Sequence, residues 1–325
     1  MYCPRLDHFV RFNADGSVSR CGHMTSTPQF ETLQQMDSSD WLANVRTTMS
    51  QDSWPSECIR CKEIEDTGNN SIRQQSLDRH ASLLDIRSDY LVLGGVLDNV
   101  CNSACQTCNE KLSTKIGSLS TKEYVKINNS ELIDTLPVER IVQMDINGGE
   151  PSASPNYLQL LENLPPNVKY LRVNTNGSRV LTGLPKLIDR GVKVTVTVSL
   201  DGIGRRHDYV RWPIKWTDVE HNIQAYQAMD LHELNTWTTV SALNIGDLKN
   251  IFSYVQQHNL KNSWALLETP SVLSVKHSNH LTRTADVPDE LKSVVASGED
   301  NTVELQLWTL AQDHLRKINL WEYYQ

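Results

Sequence analysis

Between Leu91 and Leu267 the chain alternates apolar, β-rich runs with segments of helical period, and this alternation limits its fold more than any other feature. Strands are expected at Leu91–Leu97, Arg140–Ile146, Tyr170–Asn174, Lys193–Leu200, Thr236–Leu243 and Trp264–Leu267. Helical patterns fall between them at Cys105–Ile116, Tyr157–Leu164, Pro185–Arg190, Thr217–Met229 and Leu248–Gln257. Such alternation implies a parallel sheet, because parallel neighbours need a crossover that returns the chain to the starting end. Six units in about 180 residues suit a partial (β/α)6 barrel, judged by the length per unit of the complete eight-stranded barrel.

The flanking regions read differently. At Val10–Arg20 a β-hairpin is expected: Asp15-Gly16 is a turn signal, flanked by Val10, Phe12 and Val18. A helical stretch follows at Trp41–Met49, then a loop opened by Pro55 that carries Cys58 and Cys61, then a polar, mostly helical connector over Asp66–Ser88. At the other end Asp286–Gln325 reads as a helical tail that closes the barrel. Within it, Val303–Ile318 spaces Leu305, Leu307, Trp308, Leu310 and Leu315 as a helix does. The expected architecture is therefore α/β: a small cysteine-rich hairpin and helix module with its connector (1–88), a partial TIM-like barrel (89–275) and a C-terminal helical extension (276–325).

With 325 residues, 39% of them hydrophobic, the chain can bury a core without disulfides. Its formal net charge of −8 argues against a general nucleic-acid binder, which needs many Lys and Arg facing phosphates. The opening MYCPRLDHFVRF lacks the basic start and long apolar run of a signal peptide, and the apolar stretch near Leu91–Leu97 is too short to cross a bilayer. A cytoplasmic, reducing location is expected, with no membrane partner, and there the seven cysteines read as metal ligands or catalytic groups.

Cys101, Cys105 and Cys108 form a C-x3-C-x2-C triplet just after the first barrel strand, the end at which parallel α/β barrels place their active sites. Three thiolates on one loop can hold three irons of a [4Fe–4S] cluster and leave the fourth free to bind another ligand, unlike a closed structural zinc site. Further motifs stand at later strand ends: Asn147-Gly148-Gly149-Glu150-Pro151, Asn174-Thr175-Asn176-Gly177, and Ser199-Leu200-Asp201-Gly202 followed by His207-Asp208-Tyr209-Val210-Arg211. In this order, on these strand ends, they resemble the radical S-adenosylmethionine (SAM) superfamily. The resemblance covers roughly Leu91–Leu267. It implies that Gly148, Gly149 and Glu150 run along the methionine end of SAM, and that Asn176 belongs to the same site. Ser199 and Asp201 would bond ribose hydroxyls, Arg211 would pair with the SAM carboxylate, and Asn244 would contact adenine or ribose. Thr107 stands where the family often carries an aromatic residue beside the adenine.

The other four cysteines pair off. Cys3 and Cys21, in a C-x12-G-x4-C spacing around Gly16, sit at the two ends of the hairpin, and Cys58 and Cys61 form a C-x2-C. Four thiolates complete either one closed [4Fe–4S] site or one zinc site, and the residues alone leave both open. The spacing, with Trp54-Pro55 before Cys58, resembles the auxiliary-cluster domains of SPASM/Twitch members. Four cysteines suit one auxiliary cluster, as in the Twitch type; in many members the module follows the barrel, whereas here it precedes it.

What the resemblance implies is reductive cleavage of SAM to methionine and a 5′-deoxyadenosyl radical. The radical would take a hydrogen atom from the substrate, with the auxiliary cluster as electron acceptor. The implied substrate is a peptide to be oxidised or crosslinked, or a small molecule to be dehydrogenated, and the implied partner is a one-electron donor such as flavodoxin or ferredoxin. A reading of another class is a zinc-stabilised binding protein without turnover. No catalytic acid or base stands out; Asp98, Asp145 and Glu268 are candidates by position at the barrel mouth, His207 is expected at the surface, and Gly202-x-Gly204 reads as a plain turn.

Overall fold

The computed structural model describes residues 1–119, 123–281 and 286–323. Its strands form one eight-stranded sheet in the order β2-β1-β3-β4-β5-β6-β7-β8. These are β1 (Phe9–Phe12), β2 (Val18–Ser19), β3 (Leu91–Val96), β4 (Ile141–Asn147), β5 (Tyr170–Thr175), β6 (Lys193–Ser199), β7 (Glu233–Val240) and β8 (Lys261–Leu266). From β3 to β8 every neighbouring pair is parallel, the six-stranded open barrel that the alternation implies.

Pleating explains how the barrel divides its residues. In β5 and β6, Leu171, Val173, Val194, Val196 and Val198 are fully buried in the main core. Their neighbours Arg172, Asn174, Thr197 and Ser199 point the other way, into the lumen. The crossover helices supply the matching apolar stripes. Leu248–Gln257 buries Leu248, Ile251, Tyr254 and Val255, and Pro155–Glu162 starts at Ser154, whose hydroxyl accepts from the Tyr157 amide at 3.2 Å.

The hairpin forms as expected, with Arg11 opposite Ser19 and Phe12 opposite Val18. It also joins the barrel sheet, because β1 pairs in parallel with β3, from Phe9 opposite Val92 to Phe12 opposite Gly95. Gly95 permits this approach. Its φ is +99°, and a Cβ there would lie 2.2 Å from the Phe12 carbonyl oxygen. The expected connector holds a helix at Ile72–Leu84, opened by a capping box between Ser71 and Gln74.

Three expectations are corrected. Cys105–Ser113 is not helical; helix begins only at Thr114. The loop's amides bond elsewhere, Ala104 to the Trp212 carbonyl and Gln106 to that of Val210, each at 2.7 Å. The strand expected at Thr236–Leu243 runs three residues earlier, because Ser241–Asn244 folds into a turn closed by the Asn244 side chain. In the C-terminal extension the helix is Thr302–Arg316; Leu305 and Trp308 pack on Tyr209, Val210 and Leu243, whereas Leu307 and Leu310 are exposed. Residues 282–285 and 324–325 of that extension lie outside the described residues. Among the described residues no helix is long and apolar enough to cross a membrane.

Candidate active site

The C-x3-C-x2-C loop leaves the C-terminal end of β3. Cys101 Sγ lies 3.2 Å from Ser103 Oγ, and Cys105 Sγ lies 3.4 Å from the same oxygen. Arg211 Nη1 is 4.0 Å from Cys105 Sγ. The loop is held from three sides. The Cys101 amide donates to Thr114 Oγ1 (3.1 Å), the Ser113 hydroxyl donates to the Ser103 carbonyl (2.6 Å), and Arg316, from the C-terminal helix, donates to the carbonyls of Ala104 (2.8 Å) and Cys105 (3.2 Å). Burial, reinforced by the neighbouring thiols, raises the pKa of Cys101 and pushes that of Cys108 up to about 12. A bound cation, taking these groups as thiolate ligands, would offset that burial cost.

Behind the loop lies the glycine turn after β4. Gly148 and Gly149 have φ of +83° and +46°, and a Cβ on Gly149 would stand 2.3 Å from the Val100 carbonyl oxygen. The turn is thus pressed against the start of the cysteine loop, and the Glu150 amide donates to that same carbonyl at 2.7 Å. The Glu150 carboxylate is buried and accepts from the Ser152 amide and hydroxyl, the Thr175 hydroxyl and the Asn176 amide, at 2.6–3.0 Å. Burial raises its pKa while these donors oppose the shift. Asn176 donates in turn to Asn102 Oδ1 at 2.9 Å, so the end of β5 is tied to the cysteine loop.

The other expected SAM contacts bond one another in this structure. Asp201 Oδ2 accepts from Arg211 Nε (2.8 Å) and Nη2 (2.6 Å), and its Oδ1 accepts from the Thr239 amide at 2.7 Å. Asn244 is fully buried. Its amide donates to the carbonyls of Asp201 (3.1 Å) and Thr239 (2.9 Å), and its oxygen accepts from the Ser241 amide (2.8 Å). Ser199 lines the lumen and Thr107 is half-buried on the loop. His207, expected at the surface, is fully buried against Trp216, and burial beside Arg211 lowers its pKa to about 3.

The four N-terminal cysteines line one cavity, together with His23, Trp54, Ile72 and Arg73. Burial and mutual repulsion push Cys3 up to about 11 and Cys58 up to about 12, and raise Cys61. Among the described residues no three His, Cys, Asp or Glu converge on a single ion's position. Four thiols around one cavity could hold either a [4Fe–4S] cluster or a zinc ion.

Topology separates the two thiol sets. Cys3 precedes β1 and Cys21 follows antiparallel β2, so both lie at the N-terminal end of the parallel strands; Cys101–Cys108 lie at the C-terminal end. Between them is a lumen of about 720 Å³ lined by Asp145, Asn147, Arg172, Asn174, Ser199 and Trp237 among others. His23 and Ile72 form part of the wall of both the lumen and the four-thiol cavity. Of the three candidate carboxylates only Asp145 faces the lumen. Asp98 is buried and accepts from Ser154, Asn156 and the Val100 amide, and Glu268 is exposed beside Lys276. Sequence reasoning missed Ser103, Arg316, His23 and Arg172. The alternation Arg172-x-Asn174 in β5 carries a signal for the last, since polar residues take every lumen position; the others carry none.

The chain is 23% identical over 218 residues to mycofactocin maturase MftC of Mycobacterium ulcerans, a match covering 66% of this chain and 54% of that protein. It is 28% identical over 107 residues to the Mycobacterium tuberculosis (strain H37Rv) protein of the same name, covering 33% of this chain and 26% of that one. This chain is similar to mycofactocin maturases. It spans about half the length of the first of these curated relatives. No protein-family model matches it. Among solved structures, Streptococcus suis SuiB bound to S-adenosylmethionine aligns with a TM-score of 0.45 at 12% identity, over 96% of this chain and 70% of that one. SuiB bound to precursor peptide SuiA gives 0.43 at 11%, over 97% and 70%. In this chain the triplet loop, the glycine turn and the Asp201–Arg211 pair adjoin one another at one end of the barrel.

Proposed function

We propose that the chain is a radical SAM enzyme that modifies a peptide held in the barrel lumen. The single observation that carries this reading is the lumen itself, which runs from the end of the barrel that bears three thiols to a wall shared with the cavity that bears four. Cys101, Cys105 and Cys108 would hold a [4Fe–4S] cluster with one iron left for SAM, and Cys3, Cys21, Cys58 and Cys61 an auxiliary [4Fe–4S] cluster. When bound, SAM and its cluster supply a 5′-deoxyadenosyl radical that can take a hydrogen atom from an unactivated carbon, and the second cluster supplies a one-electron acceptor.

The protein's own part is positioning and exclusion of water. Gly148 and Gly149 let backbone approach the methionine end of SAM. Glu150 braces that turn against β5 and the cysteine loop. Asp201 holds Arg211 beside Cys105, Asn244 holds the segment that presents Asp201, and Asn176, Ser199 and Thr107 would contact SAM. Residues 1–88 contribute the second cluster site, 89–275 the barrel, and 276–325 the brace on the cysteine loop. Relatedness to mycofactocin maturases supports a peptide rather than a small alcohol as substrate. A flavodoxin or ferredoxin would deliver the reducing electron.

The test is anaerobic: the iron-reconstituted protein is given dithionite and SAM, and 5′-deoxyadenosine is measured. The reading expects its formation by the native chain and none by Cys105→Ala. Equal formation by both, or none by either, overturns it.

A further inference from the structure

The lumen floor holds a guanidinium that no group among the described residues pairs with. Arg172 and Asp145 are direct partners in the register of β5 and β4, and both side chains line the lumen. Asp145 accepts from Gln143 Nε2 at 2.8 Å. Arg172 makes no hydrogen bond or ion pair among the described residues. Arg79, from the helix Ile72–Leu84, lines the adjoining pocket that Asp145 also borders, and the one hydrogen bond of its guanidinium among the described residues is a long one, 3.4 Å, to the Gln75 carbonyl. Burial and the nearby Arg172 lower the pKa of Arg79, and Asp145 raises it. Arg172 thus stands in the lumen without a bonded partner among the described residues, beside Asp145, with Arg79 in the adjoining pocket, in a chain whose formal net charge is −8.

Above this floor Asn147 and Asn174 bond each other, and Thr197 and Asn235 continue the ring across β6 and β7. Trp237 stands higher still, beside Ser199. The lining is therefore mostly neutral and polar, with an aromatic wall and, at the floor, an unbonded guanidinium beside a carboxylate. An uncompensated, partly desolvated guanidinium favours an anion strongly, and a planar fork fits a carboxylate best.

We infer that Arg172, supported by Arg79, receives a carboxylate group of the substrate, so that the lumen selects a carboxylate-bearing segment of its peptide. This rests on the lumen being the substrate site. The carboxylate belongs to an acidic side chain or to a chain terminus, and the test separates these.

The SAM-loaded, iron-reconstituted protein would be titrated with acetyl-Gly-Glu-Gly-amide, its Gln counterpart, and acetyl-Gly-Gln-Gly with a free carboxyl terminus, binding being read by calorimetry or saturation-transfer NMR. The native protein should prefer at least one carboxylate probe over the amide by about tenfold, the scale of one charge-assisted contact. Arg172→Gln should abolish the preference, Arg79→Gln should reduce it, and Arg172→Lys should keep part of it. Preference confined to one carboxylate probe names the source. No preference in the native protein, or one that survives in Arg172→Gln, overturns the inference. SAM cleavage in the same samples tests the enzyme reading separately, because loss of carboxylate preference with intact 5′-deoxyadenosine formation fails only the inference.

Discussion

Arg316 donates to the carbonyl oxygen of Ala104 across 212 positions of chain, and through a second nitrogen to that of Cys105. The cysteine loop is therefore fastened by the last long helix, which itself is pinned where Asp313 accepts from Tyr209 and from the Leu320 amide. Arg316→Ala should strand two buried carbonyls, each worth about 1–3 kcal/mol. The expected result is a lower melting temperature together with less iron on the triplet loop. Arg316→Lys, keeping one donor, should lie between. Melting curves and iron content of the three proteins check this.

Asp201 and Arg211 form a buried pair beside Cys105. Removing one partner of such a pair leaves an uncompensated charge, a loss of about 3–5 kcal/mol. Asp201→Ala should destabilise more than Asp201→Asn, because Asn still accepts from the Thr239 amide. Denaturant titration of both variants measures the order.

Gly149→Ala places a methyl group 2.3 Å from the Val100 carbonyl oxygen at a φ of +46°. The turn and the cysteine loop cannot both keep their places. Weaker SAM binding by equilibrium dialysis is expected, with a loss of about 1–3 kcal/mol from the backbone conformation alone. Gly191→Ala, at φ +81° with open space around it, is the control for strain without collision.

His207 is held neutral, its pKa lowered to about 3 from the ordinary 6.5 by burial beside Arg211. A base whose folded pKa is depressed takes up its proton on unfolding. Its contribution is present above pH ~6.5 and is lost progressively as pH falls toward 3. Stability should fall through this window, by at most ~1.4 kcal/mol per pH unit for one group. In His207→Gln that acid limb should be shallower by one proton, read from urea midpoints between pH 7 and pH 5.

The parallel strands, their order and the strand-end motifs were legible because each depends on local pattern: β-branched runs such as Val194-x-Val196-x-Val198, and glycines that only tight turns require. The cysteine loop was not. Its sequence carries helical spacing, but Ala104 and Gln106 give their amides to Trp212 and Val210, more than a hundred residues away. The parallel docking of β1 on β3 was hidden for a similar reason, since four residues and a glycine at position 95 carry no period long enough to read. Asp201 and Arg211 were found by motif and Asn244 by its place after the fifth strand, and only the fold makes them partners of one another.

Seven thiolates at opposite ends of one lumen are proposed to hold two clusters. Iron and zinc per chain, measured after anaerobic reconstitution in the native protein and in Cys58→Ala/Cys61→Ala, test it most directly. Two four-iron clusters predict about eight irons in the native chain and about four in the variant, with little zinc in either. About four irons and one zinc in the native chain, or an iron count unchanged by the double substitution, would contradict the account.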